Sequence, residues 1–423
     1  MAFDEEQARQ RRELRQQQKA NQRLIRIALT ITAVTAVLCV CAMLITFAIV
    51  NQPSTPSLDA SQSTTSTPPT APPPPAVPDT VIHLVVGGDV NVTDKTVSSG
   101  ITAGGYDYTN AFLDLLPTLA GADLSVLNFE GCLAGEPYGS AQKSAPDALI
   151  NALRGAGVDF LQTANTQSVA GGMACLKTTI QGIRQAGITP LGTYTSSAEF
   201  QQSGGFVIRE VQGVRIAFVA FTKGMGGSGL LPEYTDCVNL LYTDYTSTYQ
   251  TVDTEGITQI LKNVQTQKPD ITVALLHWGS EGVNKVSKTQ EKIAKLMFEN
   301  GVDAILGSHS HLVQSVTYDK EVGTLLAYSL GDFWGDASAP GMDYSVVLDL
   351  EITKDGSSGD VKLTGYDYIP VYLEDNTETG EGIRVLRIRE AITAYEQNFI
   401  SKVSEETYLG MKNALSKIES RMG

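Results

Sequence analysis

This sequence predicts an α/β domain of two packed, mixed β-sheets flanked by helices, and three observations carry that expectation. Short β-rich runs alternate with amphipathic helical patterns from Val81 to Asn300. Three helical runs end in glycine and pass straight into an apolar strand, in RGAGVDFL, RQAGITPL and FENGVDAIL. Glycine accepts the left-handed conformation that closes a helix, so these repeats mark helix-to-strand joints. From about Leu312 strands succeed one another without intervening helices, which argues for mixed sheets and against a doubly wound Rossmann sheet.

In chain order, residues 1–26 hold seven basic side chains against four acidic ones, a basic tail rich in Gln and Arg. Residues 27–50, IALTITAVTAVLCVCAMLITFAIV, carry no charge over 24 positions. A helix of that length spans a hydrocarbon core of about 30 Å with some tilt, and the run is too long for the apolar region of a cleaved signal peptide. No Lys or Arg occurs between residue 27 and Lys95, so the positive-inside rule predicts a cytoplasmic N-terminus and an extracytoplasmic remainder. Residues 51–79 are almost entirely Pro, Ser, Thr and Ala, a composition that buries no core and reads as a semi-rigid stalk.

The domain proper is expected over 80–383. Its strand candidates are Val81–Gly87, Leu124–Leu127, Val158–Thr163, Phe206–Val211, Arg215–Phe221, Ile271–Leu276, Ala304–Leu306, Leu312–Thr317, Thr324–Tyr328 and Ser345–Ile352, each a β-branched or aromatic run bounded by turn residues. Apolar residues at helical spacing predict helices over Tyr108–Leu119, Pro146–Gly155, Gly172–Ala186, Thr254–Gln267 and Lys288–Asn300. The last stretch, 384–423, reads as one or two amphipathic helices packed back on the domain.

Of the formal charge of −15, the chain beyond residue 26 carries about −18, and such an acidic body repels nucleic-acid backbones. Any reading that involves a polyanion has to supply local positive charge or metal. Outside the apolar run the cysteines are Cys132, Cys175 and Cys237, an odd number without CxxC spacing. Neither a disulfide framework nor a zinc ribbon is signalled, and a single disulfide among the three is open.

Three of the four histidines fall within 35 residues: His277 ends the strand ITVALLH, and His309 and His311 occupy GSHSH after the strand AIL. In an extended segment residues i and i+2 share a face, so GSHSH can aim two imidazoles at one point, as metal sites at strand ends require. Asp89 and Glu130 follow strands in the same manner, whereas His83 lies inside the first strand and reads as structural. The run Thr222-Lys223-Gly224-Met225-Gly226-Gly227 lacks the order of a phosphate-binding loop and reads as a flexible loop, with Lys223 a local cation for an anionic substrate. Trp278 and Trp334 follow site strands and are candidates to line a pocket, packing being the plainer role. No Ser-His-Asp order or nucleophile elbow is visible.

The segments GGDVNVT, NFEGCL, SAPDALINALRGAGVDFLQTAN, LLHWGSE, GSHSHLVQSV and LAYSLGDFW occur in an order and spacing that resemble the CapA family of capsule synthesis proteins, whose fold resembles the calcineurin-like metallophosphatases. The resemblance covers roughly Val81 to Tyr344, about 60% of the chain. It implies a metallophosphatase-like sandwich preceded by one transmembrane helix. It also implies one or two divalent ions, of Mn, Zn or Fe type, on Asp89, Glu130, His277, His309 and His311. Glu281 matches an acidic position of the HWGxE motif and would bind metal or orient a ligand, with Lys223 and Trp278 on the substrate side. SLGDF is similar to the family's SLGNF, with Asp332 at the fourth position.

One departure bears on activity. Where the family carries Ala-Asn-Asn-His and then Asp-x-Gly, this chain reads Ala164-Asn165-Thr166-Gln167 and Val169-Ala170-Gly171. Gln167 has no titratable group and cannot serve as a general acid. Two readings follow: a metal-dependent hydrolase or transferase with an incomplete motif, or a non-catalytic polymer-binding or assembly subunit. In either, the resemblance implies synthesis, export or surface retention of a capsule polymer such as poly-γ-glutamate, with the anionic polymer or its synthase complex as partner.

Overall fold

The structure, a computed structural model, describes residues 77–399 and 403–422. The basic tail, the apolar run 27–50 and nearly all of the stalk lie outside them, and among the described residues no helix is long and apolar enough to cross a membrane.

The first half of the domain contains β1 (Thr80–Asn91), the hairpin β2 (Ile101–Thr102) and β3 (Gly105–Tyr106), β4 (Leu124–Glu130), β5 (Phe160–Gln162) and β6 (Thr189–Leu191). Then follow β7 (Val207–Val211), β8 (Val214–Thr222), β9 (Ile271–His277), β10 (Ala304–Ser308), β11 (Val316–Asp319) and β12 (Thr324–Ala327). The strands β13 (Asp332–Trp334), β14 (Tyr344–Lys354), β15 (Val361–Asn376) and β16 (Gly382–Arg387) complete the set. An eight-stranded sheet has the order β16-β15-β14-β1-β4-β5-β6, with β13 pairing parallel to β1 where β14 leaves it. A six-stranded sheet has the order β11-β12-β10-β9-β8-β7. Both are mixed: β1, β4, β5 and β6 run parallel in the first and β8, β9, β10 and β12 in the second, with antiparallel strands outside them.

Side chains alternate across each strand, and the alternation builds the layers. Ile216, Phe218 and Ala220 of β8 and Val273 and Leu275 of β9 face Ile82, Leu84, Val86, Val126 and Phe160 in the core between the sheets. The rings of Phe160 and Phe218 meet there with centroids 4.7 Å apart. Each such fully buried Phe contributes about 1.5–3 kcal/mol through removal of apolar surface from water. The alternate residues Ala217, Val219, Phe221, Ala274 and Leu276 pack outward against the helices Thr254–Thr266 and Lys288–Glu299. On the other side Val85, Leu127 and Leu161 pack under the helix Asp147–Ala156 and the 3-10 helix Thr109–Leu115. The C-terminal helix Glu405–Met422 joins the central core through Met411, Ala414, Ile418 and Met422.

The glycines of the three helix-to-strand joints, Gly157, Gly187 and Gly301, have φ of +107°, +80° and +83°, as the repeated pattern requires. The expected helix over Tyr108–Leu119 is instead the 3-10 turn followed by a short α-helix, Leu116–Leu119, because Pro117 has no N–H to continue the ladder. The helical C-terminus begins at Ile388 rather than Arg384, since Val385 and Leu386 still belong to β16. β15, 16 residues long, was absent from the expected strands: Gly365 and Pro370 interrupt its pattern and one of its faces is half-exposed.

Candidate metal centre

The chemistry-bearing residues gather at the C-terminal ends of the parallel strands of both sheets. Asp89 ends the central part of β1 and is in register with Asn128 of β4 on one side and Asp332 of β13 on the other. Gly88 permits this: a Cβ there would lie 1.8 Å from the Gly331 carbonyl oxygen, so only glycine lets the two backbones approach, and Asp89 N–H donates to that oxygen at 3.1 Å. Glu130 is the last residue of β4 and His277 the last of β9, directly opposite Ser308 of β10. His309 and His311 follow β10.

These side chains form two adjoining groups. In one, donor atoms of Glu130, His277 and His309 all lie within 4.8 Å of one another; in the other, those of Asp89, His311 and Asp332 do. The groups touch: His277 Nδ1 lies 4.0 Å from Asp89 Oδ1, and His311 Nε2 3.7 Å from Glu130 Oε2. All six residues are buried. The sequence placed His309 and His311 in an extended segment aimed at one point. Both instead have left-handed backbones, with φ of +91° and +59°, beyond the end of β10. The histidines therefore diverge, one into each group, with ring centroids 6.3 Å apart. His309 is held in this conformation by its N–H, which donates to Asp89 Oδ2 at 3.1 Å.

A second layer orients the ligand candidates. Asn128 Nδ2 donates to Asp89 Oδ1 at 2.5 Å, and Asn165 Nδ2 donates to Asn128 Oδ1 at 3.1 Å and to the Phe129 carbonyl at 2.6 Å. The Ser308 hydroxyl lies 3.1 Å from His277 Nδ1, leaving His277 Nε2 to face Glu130 Oε1 at 3.7 Å. Thr166 donates its hydroxyl to Glu130 Oε1 at 2.7 Å and sits 3.3 Å from His277 Nε2. Gln167 is next to it, with its N–H on Asn165 Oδ1 at 3.0 Å and its amide 3.4 Å from the Thr166 hydroxyl.

Burial and crowding set the protonation states without metal. Burial, with Glu130 alongside, pushes the Asp89 carboxyl up to about 7. Burial and the neighbouring histidines hold His277 well below its ordinary value, and burial with Lys223 nearby holds His309 down at about 3. For His311 burial acts in the same direction but is outweighed by Asp332, whose Oδ1 lies 2.6 Å from Nδ1, and its proton is held well above the ordinary range.

The donor set fits divalent ions on two independent grounds. Among the described residues Glu130 Oε2, His309 Nδ1 and Asp332 Oδ2 are buried with no hydrogen-bond partner, one or more in each group, and such atoms are costly unless something satisfies them. Two ligand atoms on a common ion at about 2.1 Å sit up to roughly 4.2 Å apart, and the atoms of each group, all within 4.8 Å of one another, are gathered close to that spread.

Asp332 and Asn128 were not among the residues assigned to the site from sequence. Asp332 stood in view as the departure in SLGDF, and its strand pairing with Asp89 is what brings it in. The remaining candidates belong to neither group, although the Lys223 backbone N–H donates to the His277 carbonyl at 2.8 Å. Lys223 donates from Nζ to the Gly279 carbonyl at 2.6 Å, lies over the Tyr249 ring and is near Glu281, which is exposed. Trp278 is fully buried with its indole N–H on the Tyr328 carbonyl at 2.8 Å, and Trp334 is equally buried with its N–H on Ile383 O at 3.2 Å. Both tryptophans are core residues.

Residues 83–337 match the model of the family described as bacterial capsule synthesis protein PGA_cap. The chain is 27% identical over 263 residues to a capsule biosynthesis protein CapA of Bacillus anthracis and 24% identical over 208 residues to a PGA biosynthesis protein CapA of Bacillus subtilis. These matches cover 60% and 49% of the chain, and it spans 60% and 50% of the length of these relatives. Solved structures it resembles include the calcineurin-like phosphoesterase YfkN of Bacillus subtilis, at 16% identity and TM-score 0.41 over 76% of this chain and 98% of that one. Another is the NAD nucleotidase of Haemophilus influenzae, at 14% identity and TM-score 0.44 over 82% and 64%. With more than half of its length matched by the family model, the chain belongs to the bacterial capsule synthesis protein PGA_cap family.

Proposed function

We propose that this protein is a membrane-anchored, extracytoplasmic member of its family that acts on a capsule polymer such as poly-γ-glutamate at a divalent-metal centre. The observation that carries the proposal is the pair of buried His/carboxylate groups at the strand ends, three of whose atoms have no hydrogen-bond partner among the described residues. Glu130, His277 and His309 would hold one ion and Asp89, His311 and Asp332 the other, a mixed imidazole and carboxylate set that suits Mn, Zn or Fe. Bound ions supply polarisation of a substrate carbonyl or phosphoryl oxygen. The chain's own contribution is positioning: Asn128, Asn165 and Ser308 fix the ligand side chains, and Thr166 presents its hydroxyl at the edge of the Glu130 group. Lys223 supplies the local cation that an anionic polymer needs against an otherwise acidic protein. The anchor rests on the uncharged run 27–50, and the orientation on the basic tail before it.

A second reading has its own observation. Gln167 occupies the position from which a histidine would protonate a leaving group, and among the described residues its amide reaches the neighbouring Thr166 hydroxyl. On that reading the centre binds or orients the polymer and a synthase partner performs the chemistry. Manganese-loaded full chain, assayed on poly-γ-glutamate and on phosphoesters with and without chelator, tests the proposal. Chelator-sensitive binding or turnover supports it. Binding that is unchanged by chelator and by His309→Ala contradicts a metal-dependent role.

A further inference from the structure

Cys132 and Cys175 are 43 positions apart in sequence, and their two segments pack together closely enough for each thiol to perturb the other's proton affinity, while Cys237 is buried in the central core. Both partners are seated by backbone. Cys132 lies two residues beyond Glu130 and is locked by its N–H to the Lys143 carbonyl at 2.7 Å and by the Ala145 N–H to its own carbonyl at 2.9 Å. Cys175 is in the first turn of the helix Gly172–Gln185, which follows the Asn165–Ser168 loop. The two segments are already joined beside the sulfurs: Leu133 N–H donates to Thr179 Oγ1 at 2.9 Å, and that hydroxyl lies 3.8 Å from Cys175 Sγ. Gly171 keeps the approach open, since a Cβ there would lie 3.0 Å from Cys175 Sγ.

We infer that Cys132 and Cys175 form a disulfide in this protein, a covalent staple between the segment that carries Glu130 and the helix that follows the Thr166 loop. In the described residues all three cysteines are in the thiol form. Oxidation requires a disulfide donor, such as a dithiol oxidase of the cell envelope or oxidised glutathione. One thiolate attacks a sulfur of the donor to give a mixed disulfide and release one donor thiol. The second cysteine then attacks the protein-side sulfur of that mixed disulfide and releases the other donor thiol. Two protein thiols lose two hydrogens and the donor disulfide gains them. Cys132 and Cys175 are only 1% and 6% exposed, so the exchange takes place as the segment folds or opens, and the finished bond is shielded from reductants. The staple stands independently of metal occupancy, because neither sulfur belongs to the two ligand groups.

The test is a thiol map of the full chain refolded in oxidised glutathione, alkylated under denaturing conditions and digested without reduction. The expected result is a peptide pair joined through Cys132 and Cys175, with Cys237 alkylated as a free thiol. Cys237→Ser leaves that pair intact, and Cys175→Ser leaves Cys132 either free or carrying glutathione. Hydrogen exchange of residues 131–134 is expected to slow at least several-fold in the oxidised protein relative to the reduced one. Alkylation of Cys132 and Cys175 as free thiols, a link from either to Cys237, or identical exchange in the two forms overturns the inference.

Discussion

Asp332→Asn tests the less obvious half of the centre. Asp332 is fully buried and its Oδ1 sits 2.6 Å from His311 Nδ1, an ion pair with side-chain exposures of 4% and 1%. Hydrogen bonds to charged groups contribute about 1.5–3 kcal/mol, and asparagine keeps the shape while removing the charge. The sign of the pH dependence follows from His311, whose folded-state proton affinity is raised. Its stabilising contribution is fully present below the ordinary histidine value near 6.5 and is lost as pH rises through the raised folded value. Denaturant unfolding of chelator-treated protein should therefore show Asp332→Asn destabilised by about 1.5–3 kcal/mol at pH 6. The difference should shrink at strongly alkaline pH. Adding manganese at about 100 times its dissociation constant should stabilise the parent by roughly 2.7 kcal/mol per ion, and the variant should lose one such increment. A variant that unfolds at the parent midpoint with the parent metal increment would refute both the ion pair and the ligand role.

Further predictions concern the same residues. Gln167→His should raise metal-dependent turnover by about 10²-fold or more if only the acid is missing, measured on a phosphoester or γ-glutamyl amide; a variant as inert as the parent would favour the binding role. Metal affinity should fall as pH drops, because Asp89, near 7, must release its proton to bind: at pH 6 this alone weakens binding by about tenfold, and calorimetry in buffers of different ionisation enthalpy should detect the released proton. Gly88→Ala should be destabilised by about 3 kcal/mol or more, since its methyl would meet the Gly331 carbonyl, and thermal melting together with manganese titration should show loss of both stability and binding.

The layered fold was legible because its strands are nearly continuous apolar runs joined to amphipathic helices by glycine, as at Gly157, Gly187 and Gly301. β15 was not, because its stability comes from pairing with β14 and β16 rather than from a pattern of its own. In the candidate centre the histidines stood out through rarity and their position after strands. Asp332 and Asn128 are ordinary residue types in ordinary-looking strands, and only lateral register beside Asp89 gives them a place. The backbone turn that separates His309 from His311 had only a weak local signal: histidine is enriched among left-handed residues but adopts that conformation in a small minority of cases, and the hydrogen bond to Asp89 that holds His309 comes from 220 positions away.

The most direct measurement is anomalous diffraction at the manganese edge from crystals of the domain grown in that metal. One peak is expected among Glu130, His277 and His309 and a second among Asp89, His311 and Asp332. Full-strength peaks elsewhere, or none at these six side chains, would contradict it.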